Sequence, residues 1–423
     1  MQKTIGKVRI IIVVQSKIQN SKSKIVIVGA GPAGASLAIR LAKENFRVTL
    51  IEREKFPRQK LCGEFISPEC LRHFRDLGVF DEMLASGGDR ISETIFYAPD
   101  GKSASVSSKW FGGDSKGALS LSRARMDFCL LEKASEVGVE VLEETQAVGI
   151  LFENDEICGV KIKSKADETS EIFADLTIDA TGRANVLGKL AAKQAQSPKS
   201  KVQSPKTANR IQNRLVGFKT HLQNVNLEKG VCEIYFFRGG YGGLSYVENG
   251  LANHCFLIKA EIVREFNSDA EKIVRDVIFQ NKRAAQTLKN AAPVEDWLAV
   301  SVDGFGQKEL NPVKNLFAVG DAGAFIDPFT GSGMLMALES AEILANVIKE
   351  NKFAVEQIAK EYKTLHRRKF QKRLLVCSIM RRAAFVPKFA KSAIFLLSRS
   401  ATAREILARS TRRTFPEQKI NRG

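Results

Sequence analysis

Ile25-Val26-Ile27-Val28 has the unbroken hydrophobicity of a strand buried on both faces. Small residues follow, with Leu37, Ile39 and Leu41 among them, and Arg47-Val48-Thr49-Leu50-Ile51 returns as a second buried strand. Strand, helix and strand in that order predict a parallel βαβ unit. Far downstream, Leu316-Phe317-Ala318-Val319 repeats the strand pattern, and Leu335, Leu338, Ala341, Ala345 and Ile348 then keep helical spacing. Residues 91–121 and 214–258 behave differently, alternating β-rich runs with glycine turns as antiparallel hairpins do. The clearest of these are 231–237, the turn Arg238-Gly239-Gly240, and 252–258.

The turn after the first strand is Gly29-Ala30-Gly31-Pro32-Ala33-Gly34. Gly29 supplies a backbone shape closed to other residues, Gly31 lets a pyrophosphate approach the main chain, and Gly34 lets the helix approach the sheet. The free amides of the helix start and its dipole favour an anion there. Glu52, 18 residues after Gly34 and next to Arg53, stands where an acid accepts hydrogen bonds from an adenosine ribose. The downstream strand Leu316-Phe317-Ala318-Val319 runs into Gly320-Asp321, then Asp327-Pro328-Phe329-Thr330-Gly331-Ser332-Gly333. A carboxylate at the end of a parallel strand suits ribityl hydroxyls, and a helix starting at Gly331 to Gly333 favours the negative charge of a reduced flavin ring. The two turns together predict one FAD site, with Ala30, Pro32, Ala33, Gly320, Pro328 and Ser332 completing its lining.

These segments resemble the geranylgeranyl reductase family of FAD-dependent oxidoreductases, within the flavoproteins of the p-hydroxybenzoate hydroxylase fold. Phe56-Pro57-Arg58-Gln59-Lys60-Leu61-Cys62-Gly63-Glu64 is similar to that family's Pro-Arg-x-Lys-x-Cys-Gly-acid segment, and Ser122-Arg123 to the segment whose arginine reaches the cofactor. Asp327 to Gly333 resembles its Asp-Pro-x-x-Gly-x-Gly signature, with Ser332 where an acid is frequent. The resemblance covers most of residues 24–400 and implies Cys62 and Glu64 near the flavin, the thiol as proton donor and Glu64 as an acid if burial raises its pKa. A buried cysteine beside a salt-bridged or helix-capping glutamate is the competing reading. Two departures stand out. Tyr241-Gly242-Gly243-Leu244-Ser245-Tyr246 replaces the family's Tyr-x-Trp-x-Phe-Pro segment, leaving Tyr241 and Tyr246 as substrate-facing or core aromatics, with Tyr241 the third catalytic candidate beside Cys62 and Glu64. Thr181, in Asp179-Ala180-Thr181-Gly182, replaces an aspartate that the related hydroxylases use toward FAD and nicotinamide, so NAD(P)H, a ferredoxin or another reductase remain as electron donors. No Trp-x-Trp-x-Ile-Pro segment surrounds Trp110 or Trp297, which disfavours a tryptophan halogenase.

Composition sets further bounds. The 423 residues carry a net charge of +18, and 361–423 alone hold 17 Lys or Arg against 3 Glu. Such basic, partly apolar helices suit either a cap on the enzyme or peripheral contact with an anionic membrane, and no nucleic-acid module accompanies them. Seven cysteines without a CxxC pair and four scattered histidines predict a reduced, cytoplasmic, metal-free protein.

The expected fold class is α/β, a Rossmann-like FAD-binding domain with a mostly antiparallel β-sheet substrate domain and a C-terminal helical region. The FAD-binding domain is assigned to 24–90, 120–192 and 296–350, and the substrate domain to 91–119 and 210–295. Residues 1–23 read as a disordered basic extension, 193–209 as a flexible loop and 351–423 as the basic helical region. Three functions fit: flavin hydride transfer to a C=C bond of an apolar isoprenoid, oxygenation of an apolar or aromatic substrate, and electron transfer without a small substrate.

Overall fold

The computed structural model describes residues 24–112, 117–195, 214–385 and 387–410. The expected extension 1–23, residues 196–209 of the expected loop 193–209, and the stretch 411–423 lie outside the described residues, while 193–195 end the helix Val186–Ala195.

Five parallel strands make the central sheet of the nucleotide half. In spatial order they are Leu316–Ala318, Leu176–Asp179, Lys24–Val28, Arg47–Ile51 and Glu140–Leu142. The alternation of the first strand decides what covers it. Ile25 and Ile27 join the core under the helix Pro32–Lys43, whereas Val26 and Val28 face a second core with Leu187 and Ala191. The chain leaves Lys24–Val28 toward Arg47–Ile51 on one side and later returns to Leu176–Asp179 on the other. The carboxyl ends of these neighbours, at Gly29 and Ala180, therefore open a crevice where open parallel sheets bind ligands.

The other face of this sheet is covered by an antiparallel meander, Thr145–Glu153, Glu156–Ser164 and Thr169–Phe173. Its outer face is largely exposed. A larger sheet of eight strands forms the second half. It runs from Ala292–Pro293 through Leu215–Gln223, Ala252–Lys259, Gly240–Tyr246 and Val231–Phe237 to Glu93–Tyr97 and Ser103–Ser107. One boundary moves. Leu298–Val302, assigned above to the FAD-binding domain, pairs antiparallel with Leu215–Gln223 and belongs to the substrate sheet.

The tail is built into the core rather than appended to it. The helix Val355–Ala384 lies on Gly333–Asn351, where buried Glu339 meets Arg373 at 2.7 Å and Lys369 at 3.2 Å. Tyr362 donates its hydroxyl to the Ala318 carbonyl at 2.9 Å. The helices Pro387–Ser398 and Ala401–Ser410 then cross to the substrate sheet and pack beside Ser103–Ser107.

Candidate functional site

A cavity of about 1430 Å³ lies between the two halves and the tail. One end is lined by the Gly29–Ala33 turn, Glu52, Arg123 and Asp321, the other by aromatic and aliphatic side chains of the substrate sheet and tail helices.

The glycines of the first turn test whether a dinucleotide fits. Gly29 has φ +104°, and a Cβ there would sit 2.4 Å from the Ala180 carbonyl oxygen. At Gly34 it would sit 1.9 Å from the Gly29 oxygen. Both glycines are thus fixed by close backbone approach. Gly31 is different: its nearest neighbour would be the Arg123 guanidinium at 3.8 Å, so the missing side chain leaves room on the cavity itself. That is the cradle a pyrophosphate requires, facing the start of Pro32–Lys43. Glu52 accepts the Ala30 N–H at 3.0 Å and the Glu54 N–H at 3.1 Å, and still lines the cavity. Arg53 is exposed at the rim, paired with Glu54 at 3.2 Å.

Asp321 lines the cavity from the far strand. Burial pushes its carboxyl up to about 6, against the opposing pull of Arg183, Arg123 and Lys308. The turn holding it is fixed by Gly320, whose N–H is accepted by Ser340 Oγ at 3.0 Å and whose φ is +59°. Pro328, Gly331 and Gly333 line the same wall, and Gly333–Asn351 starts there. Ser332 is buried, and its hydroxyl accepts from Thr330 Oγ1 at 3.1 Å. These residues fit FAD, which would lie from the Gly29–Gly34 turn to Asp321.

Arg123 reaches the cavity edge but is also locked on Asp127, with contacts of 2.8 and 2.7 Å. Asp127 is fully buried and takes Arg58 as well, at 3.0 Å. Asp179 is turned away from the cavity. It accepts four hydrogen bonds, from Thr181 N and Oγ1 and from Leu187 and Gly188 N, while Thr181, Gly182 and Arg183 present themselves to the cavity.

Cys62 and Gly63 also line the cavity, with Cys62 half-buried. Its sulfur accepts the Glu64 N–H at 3.3 Å. Glu64 is buried in a ring of side chains whose outer members, Gln59 and Glu295, reach the surface. Lys219 donates to Glu64 at 2.8 Å and to Gln59 at 2.7 Å; Gln59 donates to Glu295 at 3.0 Å. His221 closes the ring, with one nitrogen 2.7 Å from Glu64 and the other 2.9 Å from Glu295. Glu64 also accepts the Arg123 N–H at 2.8 Å. Burial alone pushes the Glu64 carboxyl up, but the His221 hydrogen bond and the Lys219 charge outweigh it and hold it below the usual carboxylate range. This corrects the expectation that burial would make Glu64 an acid. It is a carboxylate that caps the Arg123 helix and anchors the Cys62 turn.

Tyr241 is corrected in the same way. Its ring stands edge-on to Phe329 in the cavity wall, but its hydroxyl donates to Asp327 at 2.8 Å. Burial, reinforced by the Asp327 charge, pushes its pKa far up, and with its hydroxyl held on Asp327 the phenol braces the cavity wall. Tyr246 donates to the Val225 carbonyl at 3.2 Å and is structural. Among the described residues, the one His/Asp/Glu cluster of metal-binding geometry is His73, Asp76 and Glu342, where Arg72 already binds Glu342 at 3.0 Å.

The FAD binding domain family matches residues 22–375. Digeranylgeranylglycerophospholipid reductases from Methanocella arvoryzae and Methanopyrus kandleri are 27% and 28% identical, over 78% and 77% of this chain and 78% and 76% of theirs. A tryptophan 2-halogenase from Chondromyces crocatus is 25% identical over 78% of this chain and 61% of its own. Among solved structures, a geranylgeranyl bacteriochlorophyll reductase-like protein from Thermoplasma acidophilum superposes with a TM-score of 0.72 at 19% identity, covering 92% of this chain and 96% of its own. A flavin-dependent brominase gives the same TM-score at 16% identity, covering 92% of this chain and 93% of its own. With the glycine cradle, the Asp321 turn and this match in agreement, the chain belongs to the FAD binding domain family and is an FAD-dependent oxidoreductase.

Proposed function

We propose that the protein saturates C=C bonds of an isoprenoid lipid. The observation that carries this reading is the apolar end of the cavity, walled by Phe96, Phe236, Phe329, Ile394, Leu397 and Leu407 and continuous with the cofactor end at Cys62 and Gly63. Such a wall binds a hydrocarbon chain by burial, without asking it for hydrogen bonds.

Reduced FAD supplies the hydride. The protein's residues then have three tasks. The aromatic wall orients the double bond and excludes water, the Glu64–Lys219–His221 ring keeps the Cys62 turn in place, and Cys62 Sγ gives a proton to the carbon next to the one receiving hydride. Sulfur left without its proton is supported by the Glu64 N–H and by the nearby Arg123 guanidinium. Hydride and proton together add two hydrogens across the bond. Reduced flavin is restored by an outside donor, either NAD(P)H or a ferredoxin-type protein.

A second reading, oxygen-dependent hydroxylation or halogenation, draws on the halogenase relative and on the glycine-rich strand Gly240–Tyr246, which lacks the reductases' aromatic segment. Anaerobic reduction of the flavin followed by addition of a polyprenyl lipid separates the two. Flavin reoxidation by the lipid without oxygen supports saturation, whereas an inert lipid and an oxygen-dependent product favour the second reading.

A further inference from the structure

The cavity's apolar end reaches the surface among the tail helices. Ile379 and Leu396 both line it, yet they are 61% and 66% exposed. Ile406 at 64% and Leu375 at 62% accompany them. These are the four most exposed large apolar side chains among the described residues, and all lie on the three helices around the opening. On Val355–Ala384, exposed Arg368, Lys372, Leu375 and Ile379 follow at steps of four, three and four, so a basic stripe becomes apolar as it meets the opening.

We infer that this face docks on a lipid bilayer bearing anionic headgroups, with Leu375, Ile379, Leu396 and Ile406 entering the hydrocarbon boundary. Lipid chains then pass into the cavity between Ile379 and Leu396 without crossing water. The inference rests on the proposed apolar substrate, but its docking part stands separately. Charge selects the partner. Residues 355–410 carry 14 Lys or Arg against 3 Glu, which suits a negative surface and disfavours pairing with a second copy of the same basic face. Among the described residues no helix is long and apolar enough to cross a membrane, so the contact is one of lying on the surface.

Flotation of the FAD-loaded full chain with phosphatidylcholine vesicles, with and without phosphatidylglycerol, tests this. The wild type is expected to float with the anionic vesicles. The double variant Leu375→Asp/Ile406→Asp, whose side chains do not line the cavity, is expected to bind them at least about tenfold more weakly, equivalent to about 1.4 kcal/mol. Its flavin content and its turnover of a short, water-soluble isoprenoid should be unchanged, while turnover of a vesicle-embedded substrate falls. Wild-type protein that ignores anionic vesicles, a double variant that floats equally well, or a wild-type dimer abolished by the same substitutions would overturn the inference. Vesicle binding without turnover of any isoprenoid would instead count against the proposed reaction alone.

Discussion

The Tyr241 hydroxyl and the Asp327 carboxylate meet at 2.8 Å, joining the substrate sheet to the loop that leads into the flavin-facing helix. Asp327 also accepts the Phe329 N–H at 2.8 Å and stands 3.5 Å from Arg381 of the tail. One carboxylate therefore ties three parts of the molecule to the cavity wall. Tyr241→Phe leaves a buried acceptor short of a partner and is expected to cost about 1–3 kcal/mol in urea denaturation. Because the hydroxyl is not a proton donor to substrate, flavin oxidation by substrate should stay within about tenfold of wild type, a difference of about 1.4 kcal/mol. Abolished chemistry in a stable variant would restore a catalytic role to Tyr241.

The ring beneath Cys62 makes a separate prediction. Lys219 and Glu64 are both completely buried, and each is the other's counter-charge at 2.8 Å. Lys219→Met leaves Glu64 its hydrogen bonds from His221 and the Arg123 N–H but removes its buried lysine counter-charge, and should destabilise by about 3–5 kcal/mol. Adding Glu64→Gln should return part of that loss, because the residual charge is gone. Additive losses in the double variant would show that the pair is not coupled.

Asp321 links cofactor affinity to pH. Its carboxyl titrates near 6 in the cofactor-free protein, and only the ionised form is a pure acceptor for ribityl hydroxyls. FAD affinity should therefore be full above that value and weaken as pH falls through it, by roughly tenfold per pH unit well below it. Flavin fluorescence titrations across this range should show the trend in the wild type and a flat profile in Asp321→Asn. A wild-type profile without the fall would place the flavin's contact elsewhere.

The two kinds of glycine in the first turn are expected to fail differently. Gly34→Ala drives a Cβ into the Gly29 carbonyl and should reduce thermal stability of the empty protein. Gly31→Val meets only space that the pyrophosphate would fill, so the empty protein should melt as wild type does while losing its flavin. Flavin retention in Gly31→Val, measured by visible absorbance, would contradict the assigned cradle.

What the sequence made legible follows from period and spacing. Ile25 to Val28, the glycine turn and the Asp321 turn could be read because one short segment contains both the strand and the ligand-facing residue. The ring around Glu64 could not, since Gln59, Glu64, Lys219, His221 and Glu295 come from distant stretches. Lys219 and His221 stand two apart on one strand, as any polar pair on one strand face does, and their only signal is two basic groups among the apolar positions Leu215, Phe218 and Leu222. Leu298–Val302 escaped for a related reason. Its pattern suits either sheet, and register with Leu215–Gln223 is decided by tertiary pairing.

The central claim is that reduced flavin in this cavity passes hydrogen to a carbon–carbon double bond. The direct measurement is the mass of a polyprenyl lipid after single turnover by the anaerobically reduced, FAD-loaded protein. Saturation adds two hydrogens to the lipid for each flavin oxidised, with no oxygen present. An unchanged lipid, together with an oxygenated or halogenated product once oxygen and halide are supplied, would contradict it.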